Sequence, residues 1–111
     1  EEDILFSSIS GLGAVDEVVL GIFDTENKKY ISVTYTGDFE ITSLVGSLSR
    51  KDGKPYIHAH MSIGNVITNK FVGGHLNKAI VSATAEIILT VVDMVVEREL
   101  NKEIGLNLFK L

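Results

Sequence analysis

The chain of 111 residues contains no cysteine and no tryptophan, and its one proline is Pro55. The absence of cysteine excludes disulfide bonds and thiolate chemistry, so cysteine usage says nothing about the redox compartment. No run of about 18 or more apolar residues is present, and no basic region followed by an apolar stretch opens the sequence. We therefore expect a cytoplasmic protein that has no membrane partner.

Clusters of basic residues are also missing. Lys28-Lys29 and Arg50-Lys51 are the only adjacent basic pairs, and the formal net charge is −5. Proteins that grip duplex DNA without sequence preference neutralise its phosphates with clustered lysine and arginine. We therefore do not expect this chain alone to bind DNA directly.

What the sequence does contain is a high proportion of apolar residues for its size. Hydrophobic residues make up 45% of the chain and the mean hydropathy is +0.25. The length is that of one domain, which we assign to residues 1–111. A small domain with this composition is expected to cover part of its apolar surface with a partner. The composition thus favours a homo-oligomer.

All three histidines fall in two short motifs, YIHAHM with His58 and His60, and GGHL with His75. Three neutral imidazoles with an open fourth position are typical of a catalytic zinc site. If residues 56–63 form a strand, His58 and His60 point to one face, because side chains alternate with a period of two. The two glycines before His75 allow close backbone approach and a tight turn that could bring it to the same place. The sequence therefore predicts a zinc site on these three side chains.

Other interpretations of the histidines stay open at this point. Two histidines on a half-exposed strand can be ordinary polar residues on its wet face, and the Gly-Gly-His motif can be a simple turn. Without a metal, the same side chains could form a proton-transfer pair or a pH-sensitive contact.

Turn signals divide the chain into short β-rich segments. Residues 10–14 are interpreted as a glycine-containing loop or bulge, and their two glycines lack the third that a dinucleotide-binding fingerprint requires. Polar or glycine-containing turns are predicted at residues 24–29, 37–38, 50–55 and 65–70. The histidine strand is expected to pair antiparallel with the strand before it.

The fold class predicted from these segments is α+β. Residues 79–91 alternate regularly and are assigned to a strand, although alanines and Glu86 make a helix a competitor. We expect a single domain with a largely antiparallel sheet and few short helices. One of these helices is expected around residues 76–81, and we expect the second face of the sheet to be covered by this helix, by neighbouring subunits, or by both.

Several motifs resemble, in order, the PPC domain, the plants and prokaryotes conserved domain also called domain of unknown function 296. They are GLGAVDEV at 11–18, GDFEI at 37–41 with SLVG at 43–46, DGKP at 52–55 before HAH at 58–60, GGHL at 73–76 and ATAE at 83–86. The resemblance runs from about Ile4 to Leu111. It implies an α/β domain that is built on a largely antiparallel sheet and associates as a homotrimer. It also implies a further strand and helix before the first motif, which we expect to be absent from this sequence.

The resemblance also implies roles for particular residues. In plant AT-hook nuclear proteins, basic hooks contact DNA and the domain supplies oligomerisation and partner binding through a Gly-Arg-Phe-Glu-Ile-Leu motif. Here Gly37, Phe39, Glu40 and Ile41 match that motif, whereas Asp38 and Thr42 depart from it. No AT-hook is present, so the DNA-binding label of prokaryotic members looks inherited.

Two functions follow as hypotheses. The first is a trimeric interaction module, in which Gly37, Phe39, Glu40 and Ile41 bind a protein partner. The alternative is a small zinc enzyme of hydrolase type on the three histidines, with Glu86 as orienting group or base. Glu86 could equally accept an N–H or pair with Arg98 at a subunit contact, and Glu40 could be a rim residue.

Overall fold

The computed structural model describes residues 3–111, so Glu1 and Glu2 of the predicted domain lie outside the described residues. The described chain forms six strands: β1 Ser7–Asp24, β2 Lys29–Lys51, β3 Lys54–Asn65, β4 Lys70–Val91, β5 Glu97–Asn101 and β6 Leu106–Lys110. No residue from 3 to 111 is helical, and none could therefore span a membrane as a helix. The domain is mostly β-sheet.

The short helix predicted around residues 76–81 is wrong, and with it the helical part of the α+β class. This segment continues β4 and pairs antiparallel with residues 15–20 of β1. Leu76 and Ala79 pack against the core. Sheet pairing satisfies the backbone donors and acceptors here while burying these side chains, so tertiary contacts override the local helix preference.

The four long strands, β1 to β4, pair in a closed cycle. The sheet order is β1-β4-β3-β2-β5-β6, and β1 also pairs with β2. The pairs among β1 to β4 are antiparallel, as expected for β2 and β3. β5 joins the sheet through one parallel pairing, Arg50 with Glu97, and forms an antiparallel hairpin with β6. The four long strands thus form a closed ring, and the C-terminal hairpin of β5 and β6 is attached to it.

The predicted turns fall into two kinds. At residues 50–55 the chain makes the expected tight hairpin, with positive φ at Asp52 (52°) and Gly53 (74°), the pattern of a type I′ turn. At residues 37–38 the predicted turn is wrong, because β2 continues and only shifts its register against β1. Gly37, at φ 134°, accommodates this bulge. Residues 10–14 lie inside β1, and their register against β2 shifts between Gly11 and Gly13, with the extra residue of this bulge in β2.

The core lies on the inner face of this ring. It consists of ten buried hydrophobic residues from β1, β2 and β3: Ile9, Val15, Val18, Leu20, Phe39, Ile41, Leu44, Ala59, Met61 and Ile63. β4 contributes partly buried residues at its first half. The inner face of β3 is therefore fixed by packing, which leaves its outer face for other roles.

Candidate metal centre

The alternation of β3 places two histidines on its outer face. Ala59 and Met61 are 6% and 3% exposed and point into the core, so His58 and His60 point away from it, as the spacing predicts. His60 stands directly opposite His75 of β4 in the antiparallel register. Side chains that face each other across two strands have Cβ atoms about 4.5–5.5 Å apart. The fold therefore brings the three histidines together.

The three imidazole rings form a tight cluster. Ring centroids are 5.2 Å apart for His58 and His60, 5.2 Å for His58 and His75, and 4.4 Å for His60 and His75. One ring nitrogen from each residue lies within 4.8 Å of the others. Nitrogens bound tetrahedrally to zinc at about 2.0–2.1 Å stand roughly 3.3 Å from each other. Small rotations of the rings would close this difference, so the donor set fits a zinc-type ion.

The surroundings of His58 and His75 favour the neutral forms of these two side chains. Burial lowers the pKa of His58, and the positive charge of Arg98 and then the two other histidines lower it further. Burial, followed by His60, lowers the pKa of His75. Because a metal binds the deprotonated imidazole nitrogen, a lowered pKa favours the ligand form at neutral pH.

Gly73 and Gly74 allow β4 to lie close to its neighbouring strands and do not form a turn. Both lie inside β4, opposite Ser62 and Met61, so the predicted tight turn before His75 is wrong. A Cβ on Gly74 would come 2.7 Å from the carbonyl oxygen of Gly21. A side chain here would push β4 away from β1 and displace His75.

A pocket of about 350 Å³ opens beside His58 and His75. Its polar walls are Tyr30, Tyr56, Asn77, Arg98 and Asn107, and its apolar walls include Leu76, Leu106 and Leu108. The Tyr30 hydroxyl and the Asn77 side-chain amide are hydrogen-bonded to each other, with oxygen-to-oxygen and nitrogen-to-oxygen distances of 3.1 and 2.9 Å. The histidines therefore border a cavity large enough for a small molecule.

Arg98 and Asn107 are pocket residues that the sequence analysis did not assign. Both come from the C-terminal hairpin, which is distant in sequence from the histidine motifs. One signal was present, because alternation along β5 puts Arg98 on the face opposite Glu97 and Glu99. The pairing that brings this hairpin to the histidines is long-range and has no local signature.

The other predicted site residues lie elsewhere. Glu86 is exposed in β4 opposite Leu12, and it does not line the pocket. Within residues 3–111 it forms no ion pair with Arg98. Its roles as orienting group, base or partner of Arg98 at a subunit contact stay predictions.

The motif predicted to bind a partner lies in β2. Phe39 and Ile41 are only 6% and 7% exposed because they belong to the core, whereas Gly37 and Glu40 are exposed. Partner binding through this motif stays a prediction, and the two exposed residues are the ones that a partner could reach.

Taken together, these features define a small β-sheet domain with a three-histidine cluster and a pocket on its outer face. The family model of the Plants and Prokaryotes Conserved domain, abbreviated PCC or PPC, matches residues 1–93. The chain belongs to this family, as the sequence motifs predicted.

Solved structures of similar proteins agree with this assignment. A "metal-containing protein" from Archaeoglobus fulgidus is 35% identical, with a TM-score of 0.88 over 97% of this chain and 76% of that one. A PPC protein from Pyrococcus horikoshii is 37% identical, with a TM-score of 0.86 over 97% and 74% of the two chains. A "putative dna binding protein" from Bacteroides thetaiotaomicron is 31% identical, with a TM-score of 0.92 over 96% and 74%. No curated protein matches this chain.

Proposed function

We propose that this domain is a metal-binding PPC module that holds a zinc-type ion on His58, His60 and His75. The observation that carries the proposal is the approach of three ring nitrogens within 4.8 Å. The Archaeoglobus relative, described as metal-containing, supports it. Zinc on three histidines with an open position can bind a further ligand or lower the pKa of a bound water to about 7.

Ligand binding is favoured over hydrolysis by the composition of the pocket. Among the described residues that line it, none is an aspartate or glutamate. A hydrolase of this type needs a general base within hydrogen-bond reach of the attacking water. Glu86, the predicted base, does not line the pocket of its own chain. The zinc hydrolase is therefore the second candidate, and it requires a carboxylate from another copy.

The module is proposed to act as a homotrimer. The support comes from the second half of β4, residues 80–91, which we call the β4 arm. It pairs with β1, and among residues 3–111 no other strand pairs with it. Its apolar side chains are 42–64% exposed: Ile80, Val81, Ile87, Ile88, Leu89 and Val91. Apolar side chains exposed in this number along one strand are typical of an interface.

DNA is not part of the proposed function. A relative described as a "putative dna binding protein" shares the fold, but this chain has a net charge of −5 and no run of basic residues longer than two. Since duplex binding depends on neutralising phosphates, we expect this chain to bind duplex DNA only weakly at physiological salt.

The test of metal binding is zinc titration of the metal-free full chain, with elemental analysis of the purified protein beside it. Wild type should bind about one zinc ion per chain. His60→Ala should lose at least tenfold in zinc affinity, since it removes one of three ligands and leaves the core intact. His60 is chosen because its side chain is exposed.

Ser62→Ala is the matched control. Ser62 lies on the same outer face of β3, two residues beyond His60, and is exposed. Its zinc affinity should equal that of wild type. Equal zinc affinity of wild type and His60→Ala would refute the metal centre. The trimer is tested separately, by light scattering on the same samples, and a mass of one chain would refute it.

A further inference from the structure

The surroundings of Arg98 point to the kind of ligand that the pocket accepts. Its guanidinium carbon lies 4.3 Å from the ring centroid of Phe109 and 4.9 Å from that of Tyr56. Its Nε donates to Ser49 Oγ at 3.0 Å, and its Nη1 donates to the Asn107 carbonyl oxygen at 2.8 Å. These contacts fix the orientation of the guanidinium group relative to the histidines.

Nη2, the remaining nitrogen of Arg98, has no comparable partner. Its two neighbours are Ser47 Oγ at 3.5 Å and His58 Nδ1 at 3.4 Å, both long for hydrogen bonds. Two of the guanidinium nitrogens are thus held by the protein, and the third faces the histidine cluster. A purely structural role for Arg98 explains the hydrogen bonds of Nε and Nη1, but it does not explain the orientation of Nη2.

Arg98 also lacks a counter-ion. Within residues 3–111, none of its nitrogens is paired with a carboxylate, and Glu99, next to it in β5, pairs with Lys110 at 3.5 Å. It is the one charged side chain among the residues that line the pocket. A partly buried cation without a partner is unfavourable, so this end of the pocket attracts an anion.

Metal binding would strengthen this preference. If His58 binds the ion through Nε2, its Nδ1 carries the proton and becomes a donor that faces the donor Nη2. If His58 binds through Nδ1, that nitrogen can no longer accept from Arg98. Either way His58 offers Nη2 no acceptor, and a second positive charge is added nearby. An oxygen of an anionic ligand would give Nη2 a hydrogen-bond acceptor and would also supply negative charge.

We propose that the pocket beside the three histidines binds a small monocarboxylate, whose carboxylate contacts Arg98 and the metal and whose apolar body lies against the walls. This inference rests on the proposed metal centre and names its ligand class. The two oxygens of one carboxylate can contact the Arg98 nitrogen and the open metal position at the same time. The rings of Tyr30 and Tyr56 and the side chains of Leu76, Leu106 and Leu108 supply the apolar surface.

The experiment is calorimetric titration of the full chain with benzoate, in both the metal-free and the zinc-loaded protein. Wild type should bind benzoate, and zinc should tighten the binding. Arg98→Gln should weaken it by about 10-fold or more, because hydrogen bonds to charged groups are worth about 1.5–3 kcal/mol. Benzylamine, of similar shape but opposite charge, should not bind, and inorganic phosphate should bind more weakly than benzoate.

Two variants separate ligand recognition from folding. Lys110→Gln removes the same charge from the same hairpin at an exposed position, and it should bind benzoate like wild type. Asn77→Asp adds a carboxylate to the opposite wall without touching any contact of Arg98, and it should weaken benzoate binding by repulsion. Arg98→Gln alone could loosen the hairpin, whereas Asn77→Asp could not.

Each outcome decides between the two proposals. If wild type binds zinc but not benzoate, the carboxylate pocket is overturned and the metal centre stands. The same holds if Arg98→Gln and Asn77→Asp both bind benzoate as tightly as wild type does. Benzoate binding that depends on Arg98 in a protein that binds no zinc overturns the metal centre and the metal's share in recognition. Tighter binding of phosphate than benzoate overturns the choice of a carboxylate with an apolar body.

Discussion

β3 and the β4 arm are both alternating strands rich in apolar residues, yet the chain covers them differently. On β3, Met61 and Ile63 are 3% and 0% exposed, whereas on the arm Ile87 and Leu89 are 58% and 42% exposed. β3 closes the ring between β2 and β4, while the arm has β1 alone as its neighbour. Alternation thus creates an apolar face, but only the topology decides whether the same chain buries it.

This difference has a functional consequence. The inner face of β3 is held by its own core, so its outer face can present histidines in a fixed geometry. The arm has no such support within residues 3–111, and we propose that other copies of the chain supply it. In this view one chain completes the metal centre, and several chains complete the sheet.

The largest effect is expected from a charge in the arm. Ile87→Asp would place a carboxylate in the proposed interface, where burying an unpaired charge is costly. We expect it to reduce the mass in solution from three chains to one, as measured by light scattering. Val66→Asp, in the β3–β4 turn where Val66 is 85% exposed, is the control and should leave the mass unchanged. An unchanged mass for both variants would exclude the arm as the interface.

A cavity in β3 is expected to have the next largest effect. Ile63 is 0% exposed, and truncation of a buried isoleucine to alanine lowers the free energy of unfolding by about 2–5 kcal/mol. Ile63→Ala should show a loss of this size in chemical denaturation at a fixed protein concentration. Ile67→Ala, where Ile67 is 91% exposed in the adjoining turn, should change it by about 0.5 kcal/mol or less. Equal losses would contradict the burial of Ile63 in the core.

Much of β3 could be predicted from the sequence because its signals are local. Alternation placed His58 and His60 on one face, and the Asp52-Gly53 dipeptide marked the hairpin that precedes them. Both features depend on neighbouring residues, so no knowledge of the rest of the fold was needed. The two glycines before His75 indicated the close backbone approach that brings it to them, although the tight turn predicted there was wrong.

The parts that sequence analysis missed depend on long-range pairing. Residues 76–81 are in a strand because β1 lies alongside them, and nothing within the segment records that neighbour. Arg98 reaches the histidines through a hairpin attached to β2 by a single pairing, Arg50 with Glu97. Such contacts become visible only when the register of several strands is known.

The smallest expected effect is the dependence of the free energy of unfolding on pH. This dependence distinguishes the outer face of β3 from the arm, because the arm has no histidine. Burial, first of all, lowers the pKa of His58 and of His75 below 6.5 in the folded chain. The unfolded chain therefore binds more protons than the folded one once the pH falls below about 6.5, and the slope of stability against pH is positive there. Metal-free protein should lose stability on going from about pH 7 to about pH 5.

Replacing both residues tests whether these histidines are the cause. The double variant His58→Gln and His75→Gln should show a flatter dependence of the free energy of unfolding on pH over this range, while Ser62→Ala should follow wild type. Carboxylates also titrate near the acid end of the range, but wild type and variant share them, so the difference between the two curves isolates the histidines. An identical slope in the double variant would mean that the acid sensitivity arises elsewhere, and that burial of the two rings has little influence on their protonation.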